Sequence, residues 1–217
     1  QHLLAYRKAA KLIDDVFGEY NHIDALSDYT FYKLGYIRTP VPIEDRIDDF
    51  KGSVPELWTY YCGGPGNNNM PNRYFCQPSL RNRIIGVIMY VYGVDGFLHW
   101  GYNFWYTKLS KAEIDPYKVS DAGGFFPSGD SYVVYPGEDG APVCSLRLKV
   151  FYDAIQDFTA LQTLERYSDR HAVKALVEKH LGKVSFSEYS KDENNLLELM
   201  REVYSLIESK KNETEKK

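Results

Sequence analysis

The sequence is poor in cysteine, which limits the kinds of site and scaffold it can form. Only Cys62, Cys76 and Cys144 are present in 217 residues. Three cysteines at these spacings are too few for a disulfide framework and too scattered for a zinc site, so no metal centre is expected. Cys62 and Cys76 could pair in an oxidising compartment, but we favour free thiols.

Long apolar runs and an excess of basic residues are also absent. No segment approaches the roughly 18 consecutive apolar residues of a transmembrane helix, so no membrane-spanning segment is expected. The formal net charge of −4 provides no basic field for nucleic acid. A glycine-rich run at 63–69 lacks the Lys-Ser/Thr ending of a phosphate loop, and no nucleotide or other cofactor is expected.

Aromatic residues are abundant. They make up 15% of the chain, and 19 of them are Tyr. Tyr covers apolar surface while it keeps a hydroxyl for a partner, so this excess predicts binding surfaces as well as core. The length suits one large domain or two small ones with a substantial core.

Helical and strand patterns alternate along most of the chain. Strands are expected at 22–26, 56–62, 94–98 and 131–136, and helices at 2–17, 30–34, 79–92, 145–167, 170–181 and 192–209. Pro40 and Pro42 are expected in a connection, and 137–142 in a turn. A long connection covers about 105–130 and is expected to be functional. Such alternation predicts a parallel sheet with right-handed crossovers.

Polar and aromatic side chains gather where the expected strands end. The stretch 94–105 runs from a short apolar strand into aromatic, amide and imidazole side chains. In parallel α/β folds, ligand groups collect at the carboxyl ends of strands. These groups suit a sugar or another flat, hydroxyl-rich ligand, and the expected substrate-binding residues are Asp28, Tyr29, Trp58, Tyr60, Tyr61, His99, Trp100, Tyr102, Asn103, Trp105 and Asp130.

Several of these residues have a second interpretation. Asp28 either caps the following short helix or contacts a ligand, and both roles are compatible. His99 either holds a sugar hydroxyl or is a satisfied core group. Asp130 either accepts hydrogen bonds from sugar hydroxyls or orders its loop. Arg73 and Arg83 are expected to brace loops and helix ends rather than to touch substrate.

Four expected strands are too few for a closed eight-stranded barrel. Half a barrel would expose two strand edges, which closed barrels avoid. The expected fold is therefore α/β: the second half of a TIM-type (β/α) barrel with about four parallel strands, whose first half lies upstream of Gln1. Residues 1–167 would form this half-barrel, 168–209 a helical extension packed on it, and 210–217 a charged tail.

Several motifs, in this order, resemble glycoside hydrolase family 123. The resemblance covers most of residues 1–165, and its motifs are Trp58–Cys62, Asn72-Arg73, Arg81–Ile84, Gly96–Asn103, Ser128–Asp130, Tyr135–Gly137, Ser145–Arg147 and Asp153–Asp157.

The resemblance implies a TIM-type barrel that acts on glycans. It further implies a retaining β-N-acetylgalactosaminidase mechanism in which the substrate's acetamido oxygen attacks the anomeric carbon. An Asp orients that group, and the adjacent Glu is general acid and then base. The family's Asp-Glu pair sits at the end of a strand just before a helix like 2–17, so it would precede Gln1, and no catalytic residue is assigned here. The expected partners are a glycan and the missing half of the barrel. The alternative is a non-catalytic glycan-binding or structural domain.

Overall fold

The computed structural model describes residues 2–63 and 69–215. It is a mixed α/β structure of helices and short strands, and it does not show a clear partial barrel. Its contacts divide into two compact units, Gln1–Tyr61 with Gly93–His99, and Cys62–Tyr92 with Trp100–Lys217. The expected glycine-rich loop falls largely on 64–68, outside the described residues.

The first unit contains four short parallel strands and their helices. Helix α1 (His2–Phe17) precedes β1 (Ile23–Ala25), α2 (Tyr29–Lys33), β2 (Thr39–Val41), a 3₁₀ turn (Glu44–Asp49), β3 (Trp58–Tyr60) and β4 (Gly96–Leu98). Strand β1 pairs in parallel with β2, and β3 pairs in parallel with β4. A single parallel bridge joins Ile43, just after β2, to Tyr60. Strands that are adjacent in the first unit are therefore also consecutive strands in the sequence.

The second unit is mostly helical. It comprises α3 (Leu80–Arg83), α4 (Ile85–Tyr92), a 3₁₀ turn (Lys108–Ser110), β5 (Val134–Pro136), β6 (Pro142–Cys144), α5 (Leu146–Tyr167), α6 (Arg170–Leu181) and α7 (Glu193–Glu215). Its core lies between α5 and the helices α4, α6 and α7, and includes the fully buried residues Ile84, Ile85, Ile88, Leu161, Leu196 and Leu199. Every helix in the described residues is too short or too polar to cross a bilayer.

Local sequence accounts for the helix boundaries in the second unit. Ser145 caps α5 by accepting a hydrogen bond from the Leu148 amide, and Asp169 caps α6 in the same way. Gly86 allows α4 to approach α5 closely, because a Cβ there would lie 1.9 Å from the carbonyl oxygen of Ala154. This close approach explains a glycine inside an apolar helix.

Three expectations about these elements were wrong. Residues 39–41 form strand β2 rather than a connection, although Pro40 lies inside it. Strand β5 pairs antiparallel with β6 as a hairpin, so it is not a fourth parallel strand and 142–144 is not only a turn. Helix α7 continues to Glu215, six residues past the expected end at 209.

Candidate functional site

In the second unit, three loop segments meet around a buried arginine. The guanidinium of Arg73 donates from Nη2 to the carbonyl oxygen atoms of Gly101 and Asp130, the latter at 2.6 Å. Gly101 has no space for a side chain, since a Cβ would lie 2.6 Å from the carbonyl oxygen of Ser131. The loop segments at Gly101 and Asp130 are therefore held together by one side chain, as expected for Arg73.

Trp100 lies beside these loop contacts and is held in place by its neighbours. Its Nε1 donates to Asp130 Oδ2 over 3.2 Å, and 39% of the residue is exposed. Its ring packs against Phe126 at a centroid distance of 4.7 Å and against Phe104 at 5.2 Å. Both indole edges are thus fixed by neighbours, while part of the ring remains open to a ligand.

Asp130 is completely buried. A carboxylate with no exposed surface does not reach a sugar hydroxyl, so the structure favours its loop-ordering role. Through Trp100 Nε1 it orients the indole instead.

Residues 102–105 run antiparallel to 131–134, and the first two of them are more exposed than the last two. The amide of Val133 donates to Tyr102 O, and an antiparallel bridge joins Asn103 to Tyr132. The Tyr102 side chain is 55% exposed and Asn103 is exposed, whereas Trp105 is anchored by its Nε1 on Val134 O at 3.0 Å. Tyr102 and Asn103 therefore offer ligand-binding groups, while the indole N–H of Trp105 is used within the fold.

Tyr132 locks the long connection to this strand. It is fully buried and its hydroxyl donates to Pro116 O at 2.7 Å. Burial, with a smaller contribution from Tyr135, raises the pKa of Tyr132 to about 12. The phenol is therefore a neutral structural donor and not an acid for a ligand.

The first unit holds the remaining predicted residues. Asp28 caps α2 by accepting from the Thr30 amide at 2.9 Å. Hydrogen bonding from the Thr30 side chain, and then from its amide, holds the pKa of Asp28 below its ordinary value. Tyr29 is half-buried and meets Phe50 edge-on at 5.3 Å. The capping role of Asp28 is thus present, whether or not it also contacts a ligand.

Strands β3 and β4 place the other aromatic residues of this unit. The Trp58 ring lies over Gly96, where a Cβ would come within 2.3 Å of it. Tyr61 is only 1% exposed and packs edge-on against His99 at 5.2 Å. Tyr61 is therefore a core residue, and His99 is half-buried beside it, while Trp58 and Tyr60 are half-exposed.

Sequence reasoning missed Phe104 and Phe126 as supports for Trp100. The Phe125-Phe126 pair did indicate that the long connection is ordered, because two adjacent aromatic residues are unusual in a disordered loop. Phe104 gave none, since it stands in a run where nearly every residue is aromatic. Which aromatic rings support and which face outward depends on loop contacts about 30 residues away.

One adjacent Asp-Glu pair lies in the second unit, at the start of its last helix. The adjacent Asp192 and Glu193 begin α7, where Asp192 Oδ1 accepts from the Asn194 amide. Within residues 2–63 and 69–215, no group of His, Cys, Asp or Glu side chains is arranged to hold a metal ion.

No curated protein matches the chain. Residues 1–164 of the 217 match the family model described as Glycoside hydrolase 123, catalytic domain, so the chain belongs to glycoside hydrolase family 123.

Proposed function

We propose that this chain is the sugar-shaping part of a glycoside hydrolase acting on β-linked N-acetylhexosamines, with N-acetylgalactosamine favoured. The observation that carries the proposal is the partly exposed Trp100 ring, fixed by Asp130 and flanked by exposed Tyr102. A fixed aromatic face stacks on the apolar face of a sugar ring at low entropic cost. The exposed amide of Asn103 adds a hydroxyl partner.

The aromatic residues of the first unit belong to the same proposal. Trp58 and Tyr60 keep part of their surface open. Tyr29 and His99 have the same intermediate exposure and belong with them, whereas Tyr61 is core and supports the unit's aromatic surface. Asp28 keeps its capping role and could add one acceptor at the helix start.

For the chemistry, we propose substrate assistance. The acetamido oxygen of the substrate would attack the anomeric carbon, an Asp would orient the acetamido group, and an adjacent Glu would serve as acid and then base. Asp130 is buried and Asp28 caps a helix, so neither is assigned to that pair. The pair would lie on a polypeptide segment upstream of residue 1.

Two features support a missing segment of barrel. In α1, Ala10 is the only residue classed as buried among the described residues, while Leu4, Leu12 and Val16 are each more than 60% exposed. All three residues of β1 are exposed, in contrast to the buried β2. A preceding β/α segment would cover both surfaces, and the sequential parallel pairing of β1 to β4 is the pairing of a (β/α) barrel.

The test combines turnover and binding with the purified 217-residue chain. We expect no release of nitrophenol from p-nitrophenyl N-acetyl-β-galactosaminide, but measurable binding of N-acetylgalactosamine by Trp fluorescence. Trp100→Ala and Tyr102→Ala should each weaken binding by about threefold to tenfold, the equivalent of about 0.5–1.5 kcal/mol for an aromatic contact. Tyr152→Ala is the matched control, because Tyr152 is 61% exposed on α5.

Each result has a distinct reading. If the isolated chain hydrolyses the substrate at a rate typical of an enzyme, the proposal that the catalytic Asp-Glu pair lies upstream of residue 1 is wrong. Unchanged affinity in both Trp100→Ala and Tyr102→Ala would remove the sugar site from this cluster.

A non-catalytic glycan-binding or structural domain is the second candidate. It is favoured by the structural roles of Asp28, Asp130 and Asp192, which leave these carboxylates committed to the fold. Glycan binding without turnover after the upstream segment is restored would select the binding domain. If the chain binds no glycan and Trp100→Ala lowers its stability, the structural domain is selected.

A further inference from the structure

The second unit contains a pocket, lined by both polar and apolar residues, that the proposed sugar-stacking residues do not line. It has a volume of about 380 Å³ and lies between 72–82 and the start of α5. We name it the Arg147 pocket, and its polar lining is Asn72, Arg73, Gln77, Ser79, Asn82 and Arg147. Among the described residues that line it, none is Asp or Glu.

Two arginines line this pocket: Arg73 is buried and its Nη2 is hydrogen-bonded within the fold, whereas Arg147 is less buried and its orientation is fixed. Its Nη2 donates to Tyr132 O at 2.7 Å, and its guanidinium lies 4.3 Å from the centroid of the Phe75 ring. Gly129 leaves room for this arrangement, since a Cβ there would come within 2.9 Å of the Phe75 ring and 3.2 Å of Arg147 Nε. A pre-oriented guanidinium loses little entropy when it binds a partner.

In the described part of the chain, no carboxylate lies within ion-pair distance of Arg147. Its hydrogen bond to a carbonyl oxygen satisfies one N–H without neutralising the charge. The residue is half-buried, so solvent screens that charge less than it would at an open surface. The pocket is thus a positive site on a protein whose net charge is −4.

The pocket also faces the first turn of α5. Leu146 and Arg147 line it, and they are the first two residues of that 22-residue helix. The amides at a helix start carry partial positive charge and add to the field of the guanidinium. Asn82 holds this helix start in place by donating from Nδ2 to Arg147 O at 2.8 Å.

We propose that the Arg147 pocket binds an oxyanion carried by the glycan, either a sulfate ester or a carboxylate. The planar guanidinium fork matches both groups. The anion site stands on the pocket itself, and only its assignment to a glycan rests on the proposed function.

The experiment is calorimetric titration of the full chain at constant ionic strength with sodium sulfate, N-acetylgalactosamine and N-acetylgalactosamine 6-sulfate. We expect sulfate to bind, and the sulfated sugar to bind about tenfold more tightly than the uncharged one, as for a charge-assisted contact. A parallel titration with glucuronate distinguishes carboxylate from sulfate ester.

Ser79→Asp tests the pocket at an exposed lining position, where the Ser79 side chain makes no capping hydrogen bond that the change would remove. The new carboxylate would compete for Arg147 and should lower sulfate affinity by about tenfold. Ser187→Asp adds the same charge on an exposed turn and should leave the affinity unchanged. Arg147→Lys keeps the charge but loses the fork, so it should weaken binding less than Ser79→Asp.

Absence of sulfate binding, or equal losses in Ser79→Asp and Ser187→Asp, would overturn the anion site. If N-acetylgalactosamine binds while sulfate does not, the pocket assignment fails and the proposed function stands. If sulfate binds while neither sugar does, the anion site stands and its glycan assignment fails.

Discussion

At the scale of single residues, the contact that orients the candidate site is the one between Asp130 and Trp100. Asp130 has no exposed surface and accepts from the indole N–H. Its contribution is therefore geometric, through the direction in which the Trp100 ring points.

We expect Asp130→Ala to lower the free energy of unfolding by about 2 kcal/mol, the usual value for a buried hydrogen bond to a charged group. It should also alter Trp fluorescence in the folded state, because the indole N–H loses its acceptor. Chemical denaturation followed by fluorescence measures both. Glu138→Ala, at an exposed position, should change neither, and an unaltered spectrum in Asp130→Ala would refute the orienting role.

Asp28 gives a pH-dependent prediction. Hydrogen bonding from the Thr30 side chain, and then from its amide, depresses the folded-state pKa below the ordinary 3.8. A depressed carboxyl pKa contributes stability that is complete above the unfolded-state pKa and is lost as the pH falls through the folded-state value.

Asp28→Ala should therefore lower the urea midpoint near neutral pH, and its difference from the wild type should shrink as the pH falls below 3.8. Asp48→Ala, an exposed position in the same unit, serves as the control. A difference that stays constant with pH would argue against the cap.

At the scale of elements, α3 and α5 are joined by an ion pair. Arg83 donates to both carboxylate oxygens of Asp157, at 2.7 and 3.0 Å, and Asp157 is fully buried. Removing one member of such a pair leaves the other charge buried without compensation.

We expect Asp157→Asn to destabilise the second unit by about 3 kcal/mol. Asp153→Asn makes the same chemical change four residues earlier on α5, at an exposed position, and should cost far less. Thermal unfolding by circular dichroism separates the two, and equal effects would show that the pair does not hold these helices together.

Sequence periodicity predicted the helices better than the strands. The expected bounds of α6 match the observed Arg170–Leu181, because its apolar period and its Asp169 cap are both local signals. Strand β2 was not predicted because Pro40 argues against a strand. Its strand conformation depends on pairing with β1, which the residues of β2 alone do not reveal. The pairing direction of β5 could not be predicted from its own residues either, since an apolar run with two buried faces fits a parallel sheet and a hairpin equally.

The candidate site was predictable to the level of residue type. The exposed Tyr102 and partly exposed Trp100 follow from aromatic residues placed after a strand. The burial of Tyr61 and Asp130 does not, because it depends on partners such as Phe97 and Arg73 far along the chain.

At the scale of the whole molecule, the open surface of α1 has a measurable consequence. Leu12 and Val16 lie one turn apart and are 65% and 61% exposed. Apolar surface of this kind binds hydrophobic dyes and favours self-association.

We expect the chain to increase the fluorescence of anilinonaphthalene sulfonate, and the double variant Leu12→Glu/Val16→Glu to reduce that signal at least about twofold with unchanged stability. Val143→Glu, at an exposed position on β6, should have little effect. Dye binding that is insensitive to the α1 variant would mean that the dye binds elsewhere than on this helix.

The link from Arg73 to Gly101 and Asp130 also bears on the order of folding. These contacts span 28 and 57 residues of sequence, and the Trp100–Asp130 bond spans 30. Long loops must close before any of them forms, whereas the helices need only local contacts. In a refolding experiment, helical circular dichroism should therefore recover before Trp fluorescence, so that the aromatic cluster around Trp100 is among the last parts of its unit to assemble.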